Sequence, residues 1–267
     1  MPKSPTAYHR PETLDTALRL LHQPDVFALG GGTKLLARDV PGAVVDLQLL
    51  ALNQLTWGET TLTMGATITL AGLSQALDAR GDVNSPAPLL QKAIQHAGPN
   101  TYRHAATLGG SIASRLPDSE LLAALLVLDA HLTLYAPQQH TLSLAAYLAA
   151  ATRPSGLITG VTIPWRAGQG VSERVARTPA DYPIVSVTLW RPQTGPAALA
   201  ATGIAQRPLR LAAAESCLAA GFSDDAINQA AAAAQTAVTH PGDFRGDAAY
   251  RADVTAVLIR RVCQQAK

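Results

Sequence analysis

Apolar residues recur every three or four positions in the first patterned segment of the chain, and this period predicts a helix over residues 13–23. Short apolar runs follow at residues 26–29 and 44–47, and each predicts a strand. Three consecutive glycines come directly after the first of these runs, and a short helical turn is expected at residues 34–38. The chain is therefore expected to begin with a helix and two strands, with a glycine turn between the strands.

The period changes after residue 55, because threonine alternates with apolar residues over residues 60–66 and a Gly58–Glu59 turn stands in front. Alternation beside a turn of this kind is typical of a β-hairpin. The other elements expected before residue 167 are helices at 70–79, 87–97 and 121–128 and strands at 132–135 and 156–163.

A polar, glycine-containing break at Gly168–Gly170 follows the last of these strands, and we place a domain division near residue 167. A new group of elements begins beyond it. The pattern predicts strands at 171–177, 184–190 and 197–204, followed by helices at 211–220, 224–237 and 247–264.

Composition excludes several classes of function. Hydrophobic residues make up 48% of the 267 residues, which is enough for a core without disulfides or structural metals. The net charge of +2 gives no field that would attract nucleic acid or an anionic membrane. Two separate cysteines, Cys217 and Cys263, and no paired histidines leave a metal site unsupported. No secretory signal and no apolar run of about 18 residues is visible, so a cytoplasmic protein without a membrane span is expected.

The first glycine turn, Gly30–Gly31–Gly32–Thr33, stands directly after a predicted strand. Glycines let successive backbone amides converge on one point, which makes a nest for an anion such as a phosphate. The turn does not fit the fingerprint of nicotinamide dinucleotide enzymes, because Leu35 stands where the third glycine is needed. It is no P-loop either, since no glycine precedes Lys34 at the required spacing.

The second glycine turn runs from Thr107 to Ser111 and adds hydroxyl groups to Gly109 and Gly110. Arg103 lies nearby and could supply the positive charge that a diphosphate attracts. The spacing of Gly109, Ser111 and Ala113 also approaches the nucleophile elbow of serine hydrolases. That alternative would need an acid and a histidine later in the chain, and nothing in the pattern selects them.

The order of these motifs resembles a known family. The first turn reads L-G-G-G-T-K-L at residues 29–35, and the second reads R-H-A-A-T-L-G-G-S-I at residues 103–112. Further matches are P-D-S-E at 117–120, R-T-P-A-D-Y-P-I-V at 177–185 and D-F-R-G-D-A-A-Y-R at 243–251. Taken together they resemble the FAD-binding medium subunit of the molybdenum hydroxylases, the family of xanthine dehydrogenase and carbon monoxide dehydrogenase.

The resemblance implies an α+β fold of the PCMH type. Its FAD-binding domain would span residues 1–167, with subdomains at about 1–52 and 53–167, and a C-terminal domain of three antiparallel strands and helices would span 168–267. FAD would lie between the two subdomains, with its pyrophosphate between the glycine turns. The implied cofactor contacts, with no catalytic side chain and no metal ligand among them, are Ala28, Leu29, Gly30, Gly31, Gly32, Thr33, Lys34, Leu35, Tyr102, Thr107, Gly109, Gly110, Ser111, Glu120, Ile158 and Thr159.

The resemblance also implies a role in electron transfer. A molybdopterin-binding large subunit would oxidise the substrate, a 2Fe-2S small subunit would carry the electrons, and the FAD of this chain would pass them to NAD or another acceptor. The substrate pocket would lie on another chain, so this sequence does not name the substrate. Two alternatives stay open, a stand-alone flavin oxidase and an interaction subunit that has lost FAD. The sequence departs from the family pattern at Lys34, Tyr102, His104, Ser111, Glu120 and Glu173. Of these departures, Lys34, Glu120 and Glu173 favour the second alternative.

Overall fold

A small parallel sheet begins the chain in the computed structural model, which describes residues 4–136 and 138–267. Its elements are β1 (Tyr8–His9), α1 (Leu14–Leu21), β2 (Val26–Leu29) and β3 (Ala43–Asp46), with strand order β1-β3-β2. The Thr13 hydroxyl caps α1 by accepting from Thr16 N at 3.3 Å. The predicted first helix and its two strands are confirmed. Because β2 and β3 are parallel, the glycine turn after β2 lies at the carboxyl edge of this sheet.

A second sheet has five strands, all paired antiparallel in the order β4-β5-β8-β6-β7. A 3₁₀ turn at Gln48–Leu50 leads into it from the first sheet. The predicted hairpin is confirmed as β4 and β5, whereas β7 was not predicted because its sequence is polar and largely exposed. The strands are β4 (Leu55–Trp57), β5 (Thr61–Gly65), β6 (His131–Tyr135), β7 (Gln139–Ser143) and β8 (Leu157–Pro164).

Helices between β5 and β6 cover the second sheet, and a further short helix follows β7. Every residue of α6 is buried, since this helix packs against α3 on one side and against the C-terminal sheet on the other. A helix that is apolar all round fits only such a doubly covered position. The helices are α2 (Leu70–Arg80), α3 (Ala87–His96), α4 (Asn100–Ala105), α5 (Leu108–Ser114), α6 (Glu120–Val127) and α7 (Leu144–Ala149).

The C-terminal region contains an antiparallel sheet of three long strands and one two-residue strand, in the order β12-β11-β10-β9. Gly168–Gly170 was expected to be a polar break but forms the start of β9 and pairs with β10. A Cβ at Gly170 would lie 2.7 Å from the Leu89 side chain, so glycine is needed here for close packing on α3. The elements are β9 (Gly168–Val175), β10 (Val185–Pro192), β11 (Ala198–Thr202), β12 (Leu209–Arg210), α8 (Ala212–Cys217), α9 (Asp224–Thr236), β13 (Gly242–Asp243), β14 (Gly246–Asp247) and α10 (Ala248–Gln265).

Both faces of the C-terminal sheet are buried. Trp190 and Ala200 belong to the core that contains α3 and α6, whereas Val187 and Leu199 pack with α9 and α10. The C-terminal sheet therefore shares a core with the region before it, and the division near residue 167 stays a prediction. No helix in the described ranges is long and apolar enough to cross a membrane.

One buried guanidinium joins the segments of the C-terminal region. Arg251, in α10, is 0% exposed and donates to Ile184 O at 2.7 Å, to Gly203 O at 2.6 Å and to Gly246 O at 3.2 Å. It also donates to Asp243 Oδ1 at 2.6 Å. The D-F-R-G-D-A-A-Y-R motif at residues 243–251 thus ties the β13–β14 hairpin to α10 and to the ends of two sheet strands.

Stability of this region is expected to fall in acid. Partial burial alone would raise the pKa of Asp243, but hydrogen bonds from Arg245 and Arg251 outweigh burial and lower it from 3.8 to about 2. A carboxylate whose pKa is lower in the folded state than in the unfolded state stabilises the fold at pH values above the unfolded-state pKa. That contribution is lost as the pH falls to the folded-state pKa. We expect Asp243→Asn to cost about 1 kcal/mol at neutral pH, because solvent screens this partly exposed carboxylate, and almost nothing near about pH 2. Denaturant unfolding of both proteins across this pH range measures the difference, and a pH-independent cost would contradict the assignment.

Candidate functional site

The first glycine turn offers a row of unused backbone donors. β2 ends at Leu29, whose carbonyl accepts from Leu47 N at 3.0 Å, and the turn closes through a bond from Leu36 N to Gly32 O at 2.9 Å. Gly32 has a φ of +72°, the left-handed conformation that glycine adopts without strain. Within the described ranges, the amides of residues 30–35 have no protein acceptor. They form the kind of nest that binds an anion.

The first glycine turn lies against the side chain of Thr107 in the second turn and against the backbone of Ala105, two residues before it. A Cβ at Gly31 would lie 1.6 Å from Ala105 O, and a Cβ at Gly30 would lie 2.7 Å from Thr107 Oγ1. No other residue type fits at Gly31 without separating the turns. The sequence expectation that these motifs lie together is therefore matched by the structure.

The amides of residues 108–111 in the second turn, unlike those of the first turn, already have protein acceptors. Leu108 N donates to Ile68 O at 2.9 Å, and Gly109 N donates to Ala66 O at 2.8 Å. The Thr107 hydroxyl caps α5 by accepting from Gly110 N at 3.2 Å. Thr107 is left with a hydroxyl proton to donate, so this turn provides shape and hydroxyl groups, while the first turn provides free amides.

Ser111 is not arranged as a hydrolase nucleophile. Its hydroxyl donates to Thr107 O at 2.9 Å and its amide donates to the same carbonyl at 2.9 Å. No histidine in the described part of the chain is hydrogen-bonded to it. A nucleophilic serine needs an adjacent base. The nucleophile-elbow alternative is therefore not supported by the structure.

Lys34 lies between two tyrosines from distant parts of the chain. Its ammonium nitrogen is 5.2 Å from the ring centre of Tyr102 and 5.5 Å from that of Tyr182, and it lies 3.4 Å from the Tyr182 hydroxyl. Burial alone would lower the pKa of Lys34, but the two tyrosines outweigh burial and raise it. Lys34 is therefore a cation at neutral pH, held beside the first turn by aromatic faces.

Glu120, expected as an acidic cofactor contact, is paired inside the protein. Its side chain is 3% exposed, with His96 Nδ1 at 2.9 Å from Oε1 and Arg174 at 3.1 Å from Oε2. Arg174 also donates to the carbonyl of Asp181, next to Tyr182. Both carboxylate oxygens thus have partners, and Glu120 connects α3 and α6 to β9 beside the cleft described next.

Three of the predicted contacts, Tyr102, Ser111 and Glu120, line one cleft. Tyr182 and Asp118 line it as well and were not predicted as contacts. Both lie in segments that carry the family resemblance, so the motifs marked these stretches without indicating which side chains face the cleft.

The remaining predicted contacts surround the two turns. Thr159 O accepts from Ala66 N at 3.0 Å, and the carbonyl of the same Ala66 accepts from the second turn. Ile158 and Thr159, both in β8, are nearly buried, and the Thr159 hydroxyl donates to Thr133 O at 3.3 Å. Leu29 and Leu35 pack in a small apolar cluster beneath the first turn, whereas Ala28 is exposed. These contacts stay predictions.

Family models match most of the chain. Residues 4–166 match the model described as FAD binding domain in molybdopterin dehydrogenase. Residues 175–266 match the model described as CO dehydrogenase flavoprotein C-terminal domain.

Individual proteins are similar over nearly their full length. The uncharacterized protein YgfM of Escherichia coli K12 is 31% identical over 97% of this chain and 96% of its own length. The glyceraldehyde dehydrogenase medium chain of Sulfolobus acidocaldarius is 26% identical over 97% of each protein. A crystal structure of Cu,Mo-CO dehydrogenase contains a chain with the same fold, at a TM-score of 0.89 and 24% identity, covering 100% of this chain and 99% of that one.

Proposed function

This chain belongs to the FAD-binding flavoprotein subunits of the molybdopterin dehydrogenases, and from that premise we propose that it transfers electrons within a heteromeric molybdenum hydroxylase. A molybdopterin-binding large subunit supplies electrons to a 2Fe-2S small subunit. This chain takes the electrons from the small subunit and passes them to NAD or another acceptor. The observation that carries the proposal is the row of amides at residues 30–35, which have no acceptor among the described residues and lie beside the second glycine turn.

The residues present fit the diphosphate of FAD. Free N–H groups at the carboxyl edge of a parallel sheet bind phosphate oxygens without needing a positively charged side chain. The two turns can lie this close together only because Gly30 and Gly31 lack a Cβ. We assign the amides of residues 30–35 and the hydroxyl of Thr107 to the diphosphate.

The chain's own residues would position the cofactor and shape its surroundings. FAD supplies the redox chemistry when bound, because it exchanges electrons both one and two at a time. Lys34 places a positive charge next to the first turn, where a diphosphate carries its negative charge. Arg174, which pairs with Glu120, also donates to the Asp181 carbonyl and so holds the loop with Asp181 and Tyr182 at the cleft.

Purification of the tagged chain from its native host tests the proposal. We expect flavin absorbance, release of FAD on denaturation, and two co-purifying chains that contain molybdopterin and 2Fe-2S clusters. Addition of substrate should bleach the flavin, and NAD or another acceptor should restore its colour. A chain that oxidises substrate without partners would instead be a stand-alone flavin oxidase. A chain without flavin, whose melting temperature does not rise with FAD, would support the cofactor-free alternative.

Lys34 is expected to make FAD binding sensitive to salt. Lys34→Gln removes the positive charge beside the first turn, so we expect FAD affinity to fall about tenfold at low salt, the typical effect of losing one charge-assisted interaction. Salt should weaken FAD binding less in the variant than in the wild type, because fewer charges remain to be screened. Fluorescence titration with FAD at two salt concentrations measures both effects. Arg166→Gln is the control and should change neither, because Arg166 is exposed and has no hydrogen-bond or ion-pair partner in the described part of the chain. Equal salt dependence in the wild type and Lys34→Gln would remove Lys34 from the site.

A further inference from the structure

Two arginines share the same acceptors at the end of α7. Arg115 ends α5 with a φ of +49°, and its guanidinium donates to Leu148 O at 2.8 Å and to Ala150 O. Arg207, in the connection between β11 and β12, donates to the same two carbonyls, with Leu148 O at 2.9 Å. Carbonyls at a helix C-terminus favour a positive charge. Two guanidinium groups on one pair of carbonyls, however, place like charges side by side.

Donors around these guanidinium groups have no acceptor. Arg115 Nε is buried and is the one buried side-chain nitrogen or oxygen without a hydrogen-bond partner among the described residues. Tyr147, 1% exposed, has its ring centre 5.5 Å from the Arg115 guanidinium, and its hydroxyl has no hydrogen-bond partner within the described ranges. Arg153 is exposed, and it too has no hydrogen-bond partner there. A buried donor without an acceptor is costly, so such a group calls for an explanation.

The cluster also lacks a counter-charge. No carboxylate of the described chain forms an ion pair with Arg115, Arg153 or Arg207. Burial lowers the pKa of Arg115, and the charges of Arg207 and Arg153 lower it further, although Tyr147 acts in the opposite direction. Burial raises the pKa of Tyr147, while Arg153 and Arg115 oppose that rise. Arg207 and Arg153 thus both act on Arg115, and Arg153 and Arg115 both act on Tyr147.

We propose that Arg115, Tyr147, Arg153 and Arg207 form a binding site for a phosphate group, separate from the glycine turns. A phosphate dianion matches three unpaired positive charges better than a single carboxylate does, and guanidinium groups are well suited to its oxygens. Thr107 caps the N-terminus of α5 and Arg115 caps its C-terminus, so the second turn and this site are at the two ends of one helix. The ligand is inorganic phosphate or a small phosphorylated metabolite.

Titration of the FAD-saturated full-length chain with inorganic phosphate, at constant ionic strength made up with chloride, tests the site. Saturation with FAD keeps phosphate from binding at the glycine turns. We expect saturable binding by calorimetry and a rise in melting temperature. Arg153→Ala and Tyr147→Phe should each weaken phosphate binding about tenfold, as expected for one lost hydrogen bond to a charged group. These variants are preferred to Arg115→Met, because Arg115 also anchors α7.

Arg166→Ala is the matched control, since it removes an exposed arginine elsewhere and should leave phosphate binding unchanged. The absence of saturable binding would overturn the proposal, as would equal binding by the wild type, Arg153→Ala and Tyr147→Phe. Acetate that binds as tightly as phosphate would overturn the assignment to a phosphate group. A glucose phosphate and free phosphate, compared in separate titrations, distinguish the two sources of the ligand.

Discussion

Replacement of Arg251 by methionine is expected to lower the free energy of unfolding by about 3–5 kcal/mol, because several acceptors lose their donor and each buried one costs about 1–3 kcal/mol. The guanidinium is 0% exposed and bonds Asp243 together with three backbone carbonyls. Methionine fills a similar volume but provides no donor, so buried acceptors lose their partners. Denaturant-induced unfolding followed by circular dichroism measures the loss.

Arg261→Met is the matched control for this experiment, because Arg261 is an exposed arginine in the same helix. Its effect should stay within about 0.5 kcal/mol. Similar losses in the two variants would mean that Arg251 contributes no more than a surface arginine. Arg251→Lys should also be strongly destabilising, since one ammonium cannot reach four acceptors in the directions that the guanidinium serves.

Replacement of Gly31 by alanine is expected to reduce FAD affinity about a hundredfold, a change of about 2.7 kcal/mol in binding free energy. The new Cβ would lie 1.6 Å from Ala105 O, so the two glycine turns must move apart. The free amides of residues 30–35 then no longer face Thr107. Flavin content after purification and the rise in melting temperature with FAD measure the effect.

Gly81→Ala is the control for general loss of stability. Gly81 has a φ of +64° with nothing within 4 Å of the added Cβ, so alanine strains the backbone without contacting the turns. This variant should be somewhat less stable and yet retain FAD affinity. Normal flavin content in Gly31→Ala would show that the contact between the turns is not needed for binding.

Local patterns predicted most of the elements. The leucine and alanine stripe of α1, the threonine alternation of β5 and the two glycine turns act over a few residues, so they are readable without the fold. The elements that were missed lack such a signal. β7 is polar and gains its place by pairing with β6, and α5 begins with two glycines that disfavour a helix and depends on the Thr107 cap.

The candidate site, like the fold, has features that the sequence predicted and features that it did not. Motif order indicated an FAD domain, and family models match that identification over residues 4–166. Which donors are free could not be predicted. Gly31 and Gly109 look alike in the sequence, but Gly109 N is used by Ala66 O, which β8 and the start of α2 bring next to it. Glu120 matched a motif for a cofactor contact, yet Arg174, 54 residues away, pairs with its carboxylate.

By itself the sequence therefore determined the order of elements, the positions of the glycine turns and the family of flavoproteins to which the chain belongs. Only the tertiary structure decided that the turns meet at Gly31 and Ala105, that one turn keeps its amides free, and that Lys34 lies between Tyr102 and Tyr182. The physical reason is the distance along the chain over which each kind of interaction acts. Backbone preference and periodicity act between near neighbours in the chain, whereas the pairing of a donor or a charge depends on groups that only folding brings within a few ångströms.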